Sequence, residues 1–454
     1  MADTKIYSVI IGAGMCIPEE RIPNSRFLYN EFFNRGGIRI SSPFHDKDMN
    51  TVSYRPLGKK HSFYDKYGHE LTISGSMVYD RNGRIASPFR DKHGNEIAFD
   101  GRDFYGKGKE KLMPTDFYVY KVEEISGIRS RRHIQDNLMA SDIAVSAAKK
   151  AVESAGINPD TLDEIIITHF CGDIKPGGLD TGQFFPNFVS KIRDGLHTKK
   201  PKILDYQCGC TGFLDCLVYA NESIKSGNSK KIMVVAVDTL DRVLDDSDYD
   251  SMLFGPGSGG VVLGSMESNK PIGFLTDAYY EDLNLEHLIC MGQSNNPAFR
   301  EQGPFIKMNM GPDVHRWVLK NTPKVIVASL NMIKLSFNDI DKFIMHQANM
   351  RMNVELFEEL YEKCNPREDS EPEEKYKDRM KRTMDEKMPM TIQEYANMSV
   401  ATIPPIISLL LNRDDILLQE LCLSHHELKD GDNVLFIAAG AGMKTRSIVY
   451  RVGK

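Results

Sequence analysis

Short runs of β-branched and apolar residues alternate with longer amphipathic stretches along most of this 454-residue chain. The short runs predict strands at residues 6–11, 164–168, 202–205, 232–237, 260–263, 342–345, 433–438 and 447–451. The amphipathic stretches predict helices at residues 140–155, 210–226, 314–335, 349–363 and 400–411. Because strands that alternate with helices build layered sheets, the pattern predicts an α/β core.

Two segments interrupt this alternation. Residues 35–119 are rich in glycine, aspartate and aromatic residues, and the Asp-x-x-Gly turns at Asp65, Asp80 and Asp91 favour hairpins. The phrase that begins at Ser42 (SPFHDK) recurs at Ser87 (SPFRDK), which indicates a weak internal duplication. We interpret 35–119 as an inserted β-hairpin subdomain. Residues 365–387 are a charged run, for which we expect a solvated helix or a mobile loop.

Composition limits the class of protein. A net charge of −6 gives no reason to expect nucleic acid as a partner. The N-terminal residues do not read as a secretory signal, and no stretch reaches the ~20 apolar residues of a membrane span. The eight cysteines contain no CxxC pair, so we expect reduced cysteines, no structural zinc and a cytoplasmic location.

Three segments carry residues capable of covalent chemistry. Cys210 lies between a predicted strand and a predicted helix, where the helix N-terminus favours a thiolate with a lowered pKa. His346 ends a second apolar strand, and Asn397 lies in a polar turn before an apolar helix. Taken singly, these residues are more typical of a buried cysteine, a satisfied interior histidine and a helix cap.

Together the motifs resemble the ketoacyl-acyl-carrier-protein synthase III family of the thiolase superfamily. The resemblance rests on CTGF at residues 210–213, HQAN at 346–349 and NMSVA at 397–401. Further matches are GIRSRR at 127–132, the helical stretch 140–156, FGPGSG at 254–259 and AGAG at 439–442. Order and spacing agree over about residues 1–34 and 120–454. No second cysteine lies in the C-terminal glycine loop, as a thiolase proper would need.

The resemblance implies a thiolase-like fold of two duplicated α/β halves in a layered α-β-α-β-α core. The N-terminal half would comprise residues 1–34 and 120–268 and carry the nucleophile. The C-terminal half, 269–454, would carry the histidine and asparagine. Family members form homodimers, and we expect the same here.

The resemblance also implies a mechanism. An acyl group would transfer to Cys210, and decarboxylative Claisen condensation with a malonyl-type thioester would follow, assisted by His346 and Asn397. The family's oxyanion positions match the backbone N–H groups of Cys210 and Gly442. No cofactor would be tightly bound, because acyl and malonyl groups arrive as coenzyme A or carrier-protein thioesters.

Four further residues would bind substrate by family position: Arg242 near the adenine of coenzyme A, Arg351 and Asn349 near the pantetheine entrance, and Phe185 in the acyl pocket. The family's adenine-stacking tryptophan has no counterpart, since the chain's single tryptophan is Trp317. The 35–119 segment interrupts that region and could cap the entrance, dock a carrier protein, reshape a dimer or be a structural ornament.

Three other functions stay open. The same fold could serve an acyltransferase or a long-chain or resorcinol-type condensing enzyme of secondary metabolism, and it could persist as a non-catalytic scaffold. The Gly12-Ala-Gly14 turn prompts a dinucleotide-binding alternative, but the fingerprint's third glycine is missing and Pro18 interrupts the helix that would bind phosphate.

Overall fold

The computed structural model describes residues 4–57, 60–176, 188–309 and 311–453. The strands are β1 Lys5–Cys16, β2 Glu20–Pro23, β3 Ser41–Ser42, β4 Phe44–His45, β5 Thr51–Leu57, β6 Lys60–Tyr64, β7 Thr72–Ser74, β8 Met77–Tyr79, β9 Phe89–Arg90, β10 Glu96–Phe99, β11 Phe104–Tyr105, β12 Lys111–Pro114, β13 Ser130–His133, β14 Glu164–His169, β15 Lys202–Gln207, β16 Lys231–Asp238, β17 Gly257–Ser268, β18 Gly273–Glu281, β19 Ile289–Gly292, β20 Phe305–Met308, β21 Lys342–Met345, β22 Asn433–Gly440 and β23 Lys444–Arg451. The α-helices are α1 Thr115–Ser126, α2 Ala140–Ala155, α3 Phe188–Leu196, α4 Gly212–Lys225, α5 Gly311–Met332, α6 Met350–Cys364, α7 Glu373–Lys387, α8 Ile392–Tyr395, α9 Ile403–Asn412 and α10 Asp415–Glu420.

Two mixed sheets and three helical layers form the core. The first sheet has the order β1-β17-β16-β14-β15, and the second has the order β18-β23-β22-β21. Helices α2 and α3 pack on the outer face of the first sheet, and α5, α6 and α7 pack on the outer face of the second. Helices α4 and α9 lie between the two sheets in one continuous apolar cluster. The layers therefore run α-β-α-β-α, as the family resemblance predicts.

The sequence pattern of the central strands follows from this layering. All six residues of β14 are buried, and β14 pairs in parallel with both β15 and β16. A strand covered by helices on both faces needs apolar residues at every position, which explains the unbroken run of three isoleucines at 165–167. This order also places the carboxyl ends of β14, β15 and β16 at one edge of the sheet, next to Cys210.

The glycine pair near the N-terminus serves helix packing. Gly12 and Gly14 lie inside the continuous strand β1, and a Cβ on either would overlap the backbone of α2 at Ala155 or Ala151. Small residues at these positions let α2 approach the sheet closely. The dinucleotide-binding alternative is therefore wrong for this segment, because β1 runs through the glycines to Cys16 without the tight turn into a helix that phosphate binding needs.

Residues 41–114 build a sheet of their own with the order β3-β12-β11-β10-β9-β4-β5-β6. Its core is aromatic, with Phe44, Phe63, Phe89 and Phe104 in mutual ring contact. The duplicated phrases fall on equivalent positions, since Phe44 and Phe89 lie on the paired strands β4 and β9.

One turn geometry repeats through this inserted sheet. The side chains of Asp46, Asp65, Asp80 and Asp91 each accept hydrogen bonds from the backbone N–H groups two and four residues later. Each loop also has a residue of positive φ three positions after its aspartate. The aspartate turn thus recurs more often than the duplicated six-residue phrase, because it also forms at Asp65 and Asp80, where the flanking sequence differs.

The charged run near residue 365 is largely helical. Helix α7 occupies Glu373–Lys387 and buries Tyr376 and Met380 against α6 and the second core sheet. Its other positions are mostly solvated, as charged side chains at helical spacing favour. Among the helices of the described segments, none combines the length and apolar character that a membrane crossing requires.

Candidate active site

Cys210 lies in the tight connection from β15 to α4, two residues before the helix begins. Small residues surround it: a Cβ on Gly209 would lie 2.8 Å from the Cβ of Ala441, and a Cβ on Gly440 would lie 2.5 Å from the Cys210 sulfur. The thiol is therefore clamped between the β15–α4 connection and the end of β22. The predicted helix 210–226 begins later, at Gly212, which leaves Cys210 in the turn.

Burial decides the electrostatics of this thiol. The pKa of Cys210 is raised above its ordinary value, chiefly by loss of solvation and also by the nearby charge of Asp238. Hydrogen bonds from the Ala441 backbone, the Ser399 side chain and the backbone N–H of Cys210 itself oppose the shift without reversing it. The lowered pKa expected from a helix N-terminus is thus wrong, because loss of solvation outweighs the hydrogen bonds that favour the thiolate.

The backbone amide that faces the thiol belongs to Ala441. It precedes Gly442 in the turn between β22 and β23, where Gly440 pairs with Lys444. A Cβ on Gly442 would instead meet the side chain of Lys444, 3.3 Å away. The structure therefore places the amide of Ala441, one residue before Gly442, at the Cys210 sulfur.

His346 directly follows β21 and precedes α6. Its backbone N–H donates to the Ile437 carbonyl at 2.7 Å, and its own carbonyl accepts from Asn353 Nδ2 at 3.1 Å. The ring Nδ1 lies 2.7 Å from Thr402 Oγ1. Burial lowers the pKa of His346 to about 4, so the imidazole is neutral near pH 7.

Asn397 follows α8 and is held by backbone bonds on both sides. Its N–H donates to the Leu253 carbonyl at 3.0 Å, and its carbonyl accepts from Gly255 N at 3.0 Å. Its side-chain Oδ1 accepts from the Ser399 N–H at 2.8 Å. Because the amide oxygen is occupied, the Nδ2 group is the one available to donate to another molecule.

A carboxyl group that sequence reasoning missed lies close to the thiol. Asp238 ends β16 and accepts from Phe170 N at 2.7 Å and from Val400 N at 3.3 Å. Burial raises its pKa to about 6, against the lowering effect of its hydrogen bonds. The only signal in the sequence is an acidic residue at the end of an apolar strand, which also describes many solvent-exposed strand ends.

Cys210, His346 and Asn397 line one narrow cavity of about 50 Å³. Most of its other walls are apolar; they include Phe170, Leu240, Leu253, Phe254, Ile289, Ile306, Met308, Val314, Val318 and Met352. A nucleophile, a neutral imidazole and a carboxamide thus share a space largely enclosed by hydrocarbon. Such a site strengthens hydrogen bonds to charge that develops during a reaction.

Comparisons with known proteins identify the family. Residues 204–279 match the family model for 3-oxoacyl-[acyl-carrier-protein] synthase III, and 373–452 match the model for its C-terminal part. The β-ketoacyl-[acyl-carrier-protein] synthase III of Ehrlichia ruminantium (strain Gardel) is 30% identical over 319 residues, which are 70% of this chain and 86% of the relative. The chain belongs to the β-ketoacyl-[acyl-carrier-protein] synthase III family.

Other relatives agree with this assignment. The synthase III of Staphylococcus haemolyticus is 28% identical over 73% of this chain and 90% of the relative. The solved synthase III of Pseudomonas aeruginosa PAO1 superposes with a TM-score of 0.61, 19% identity and 99% coverage of both chains. The priming β-ketosynthase of the R1128 polyketide pathway gives 0.64, with 18% identity and 100% and 98% coverage. The predicted thiolase-like fold is confirmed, and the chain is an acyltransferase-type condensing enzyme.

The residues that the family resemblance predicts to bind substrate lie in environments that differ from one another. Arg242 is buried, and its guanidinium donates to Asp136 and to the carbonyls of Ile134 and Gln135. A guanidinium whose N–H groups already donate to these partners is poorly placed to contact coenzyme A. Arg242 instead holds the backbone of residues 134–136 in place. Phe185 lies outside the described residues.

Two other predicted substrate residues lie at the start of α6. Asn349 lines the cavity and caps the helix by accepting from Met352 N at 2.8 Å. Arg351 is exposed and pairs with Glu355 at 2.6 Å. Asn349 therefore faces the synthase III cavity, Arg351 lies exposed two residues further along the chain, and Arg242 is buried elsewhere.

The segment leading into the inserted sheet contacts one wall of the cavity. Arg35 donates to the carbonyl of Met308, a cavity-lining residue, and Asn295 Nδ2 donates to the Phe33 carbonyl at 3.1 Å. Behind this wall, Lys307 is buried and pairs with Asp245 at 2.5 Å and with Asp248 at 3.2 Å. The start of the insertion is thus fastened to the β19–β20 hairpin of the synthase III core.

In the parts of the chain that the structure describes, no group of three or more His, Cys, Asp or Glu side chains is arranged to hold a metal ion.

Proposed function

We propose that this synthase III loads an acyl group on Cys210 and condenses it with the carbon of a decarboxylating malonyl-type thioester. The observation that carries the proposal is the meeting of Cys210, His346 and Asn397 in one apolar cavity, with the Ala441 amide at the sulfur. Each group has a chemical task that its surroundings suit.

In the first half-reaction, the Cys210 sulfur attacks the carbonyl carbon of an acyl thioester. Since burial raises the pKa of this thiol, most of it is protonated near pH 7 and a proton acceptor is needed. Neutral His346 lines the same cavity and can take the proton. The backbone N–H groups of Cys210 and Ala441 would hold the oxyanion, with Ala441 in place of Gly442.

In the second half-reaction, loss of carbon dioxide leaves an enolate whose oxygen needs hydrogen-bond donors. The Ser399 N–H occupies Asn397 Oδ1, so Asn397 presents Nδ2 to that oxygen. A neutral His346 can donate a second hydrogen bond without carrying charge. The enolate carbon then attacks the acyl carbonyl on Cys210 and releases a β-ketoacyl thioester.

The substrates would be thioesters of coenzyme A or of an acyl-carrier protein, with Asn349 and Arg351 near the pantetheine entrance. Family membership supports this class of substrate, and Arg351 is exposed at the surface, where it forms an ion pair with Glu355. Arg242 is excluded from the contact set because its guanidinium is already bound by protein groups. We also propose a homodimer, as in the family.

Intact-protein mass spectrometry after incubation with short, medium and long acyl thioesters tests the proposal. We expect a mass gain on the Cys210 peptide that Cys210→Ser abolishes. Cys364→Ser is the matched control, since Cys364 is exposed and lies at the end of α6. Acylation that persists in Cys210→Ser, or that no donor produces, contradicts the proposed nucleophile.

A second measurement separates the half-reactions. Malonyl-carrier or malonyl-coenzyme A thioester is added to the isolated acyl-enzyme, and the loss of the acyl mass is followed together with the product. We expect Asn397→Ala to keep acylation and to discharge more slowly, because its task belongs to the enolate. The structure of the product would identify a long-chain or resorcinol-type condensing enzyme. Loss of the acyl group without formation of a carbon–carbon bond would identify an acyltransferase.

A further inference from the structure

The hydroxyl of Thr402 lies directly behind the imidazole of His346. Thr402 is buried, and its Oγ1 is 2.7 Å from His346 Nδ1 and 3.1 Å from the Ser399 carbonyl. The residue joins the short turn at Ser399–Ala401 to α9, so backbone on both sides holds it in place. Thr402 directly follows the NMSVA motif at 397–401 and is not part of it.

These two contacts allow two arrangements of protons. A hydroxyl has one proton to donate and can also accept. When Thr402 donates to the Ser399 carbonyl, its oxygen accepts a hydrogen bond from Nδ1–H, and Nε2 of His346 has a free lone pair. When Thr402 rotates and donates to Nδ1, the proton of the neutral ring lies on Nε2. A carbonyl alone in this position could support only the first arrangement.

The other ring nitrogen is the one available to substrate. His346 lines the cavity, and Nε2 has no hydrogen-bond partner within the described part of the chain. This inference rests on the proposed function, which requires Nε2 to accept a proton in one half-reaction and to donate a hydrogen bond in the other. One fixed tautomer cannot do both.

We propose that Thr402 is a positioning residue whose hydroxyl lets His346 exchange tautomers between the two half-reactions. In this exchange Nε2 takes a proton from solvent and Nδ1 gives its proton up to solvent, so no net proton is consumed. In acylation, the Cys210 S–H proton moves to Nε2 as sulfur attacks, the donor's C–S bond breaks, and the imidazolium passes this proton to the departing thiolate. In condensation, Nε2–H donates to the malonyl thioester oxygen while carbon dioxide leaves. The enolate forms the new C–C bond, the bond to Cys210 breaks, and the released thiolate takes a proton from solvent.

Thr402→Val removes the hydroxyl at nearly constant volume. The Ser399 carbonyl also hydrogen-bonds the imidazole, and Nε2 has no partner in the described part of the chain. This carbonyl is therefore the partner left for Nδ1, and a carbonyl can accept only from Nδ1–H. We expect acylation within about threefold of the wild type, and acyl-enzyme discharge by malonyl thioester slowed on the order of 10- to 100-fold, part of the ~10²–10⁴ that positioned proton donors contribute. Thr402→Ser restores the hydroxyl and should restore discharge.

The matched control is Thr198→Val. Thr198 is also buried and donates its hydroxyl proton to Asp160 at 2.6 Å, but it lies beyond α3 and outside the cavity lining. We expect both of its half-reactions to match the wild type. Thr402→Ala, measured in parallel, provides the same test if the valine variant does not fold.

The outcomes separate this inference from the proposed function. If the hydroxyl-free variants lose both half-reactions equally, or if Thr402→Ser is as slow as they are, the role is one of packing and the inference is overturned. Unchanged discharge without the hydroxyl overturns it too. Wild-type protein that is never acylated on Cys210 refutes the proposed function first, whereas normal wild-type turnover with an unaffected Thr402→Val refutes the inference alone.

Discussion

Substituting alanine for Gly440 tests the geometry of the active site most directly. The added Cβ would lie 2.5 Å from the Cys210 sulfur and 2.6 Å from its Cβ. Ordinary contacts of this kind begin near ~3.5 Å, so the sulfur or the strand end must move by about 1 Å. A misplacement of ~1 Å costs on the order of 10²-fold in rate, and overpacking costs about 1–3 kcal/mol of stability.

Two measurements follow from these magnitudes. The rate of acylation under single-turnover conditions, read by intact mass, should fall about 100-fold in Gly440→Ala. Thermal unfolding should shift by only a few degrees, because ~1–3 kcal/mol is spread over a large unfolding entropy. Gly440→Ala should therefore remain folded but be acylated slowly.

Gly311→Ala is the control for this experiment. Gly311 begins α5, and a Cβ there would meet no atom within 4 Å. Its acylation rate and stability should stay close to those of the wild type. Acylation of Gly440→Ala within threefold of the wild type would refute the reasoning, since the sulfur would then tolerate a displacement that the structure says must occur.

Three further predictions concern charge. Alkylation of Cys210 by iodoacetamide should still accelerate above pH 9, because burial raises the thiol pKa; a plateau in its pH–rate profile below pH 8 would contradict this. Lys307→Met should lower the free energy of unfolding in denaturant by about 3–5 kcal/mol, since it leaves two buried carboxylates unpaired, whereas Lys363→Met, at an exposed pair, should cost under ~1 kcal/mol. The folded-state pKa of Asp238 is raised from 3.8 to about 6, so its protonation stabilises the fold below pH 4 and this stability is lost as pH rises through 6. Asp238→Asn should remove that pH dependence, worth about 3 kcal/mol, and an unchanged difference from wild type between pH 4 and 7 would count against it.

The sequence pattern predicted those features that depend on residues close together in the chain. Strand–helix alternation predicted the α/β layers, and the aspartate turns predicted the β-rich insertion, because turn chemistry and side-chain periodicity depend on neighbouring residues. Element boundaries were less certain; the helix predicted from Cys210 begins at Gly212. That difference leaves the cysteine in a turn.

The identity of the backbone amide that lies at the Cys210 sulfur was harder to predict. Gly442 was inferred from a run of small residues, whereas the amide beside the sulfur is that of Ala441. Small residues in a row look alike in sequence, and the pairing of Gly440 with Lys444 decides which amide points at the thiol. Arg242 is a similar case, since its burial depends on the path of residues 134–138.

The sequence by itself determined the chemistry available to this protein: a cysteine, a histidine and an asparagine in a recognisable order, within an α/β pattern. Only the tertiary structure decided their states. It buries Cys210 and so raises its pKa, keeps His346 neutral, and brings Thr402 and Asp238 to the site from separate elements. Residue types and local periodicity are properties of the chain, whereas solvation and hydrogen-bond partners depend on residues more than 50 positions apart that meet only after folding.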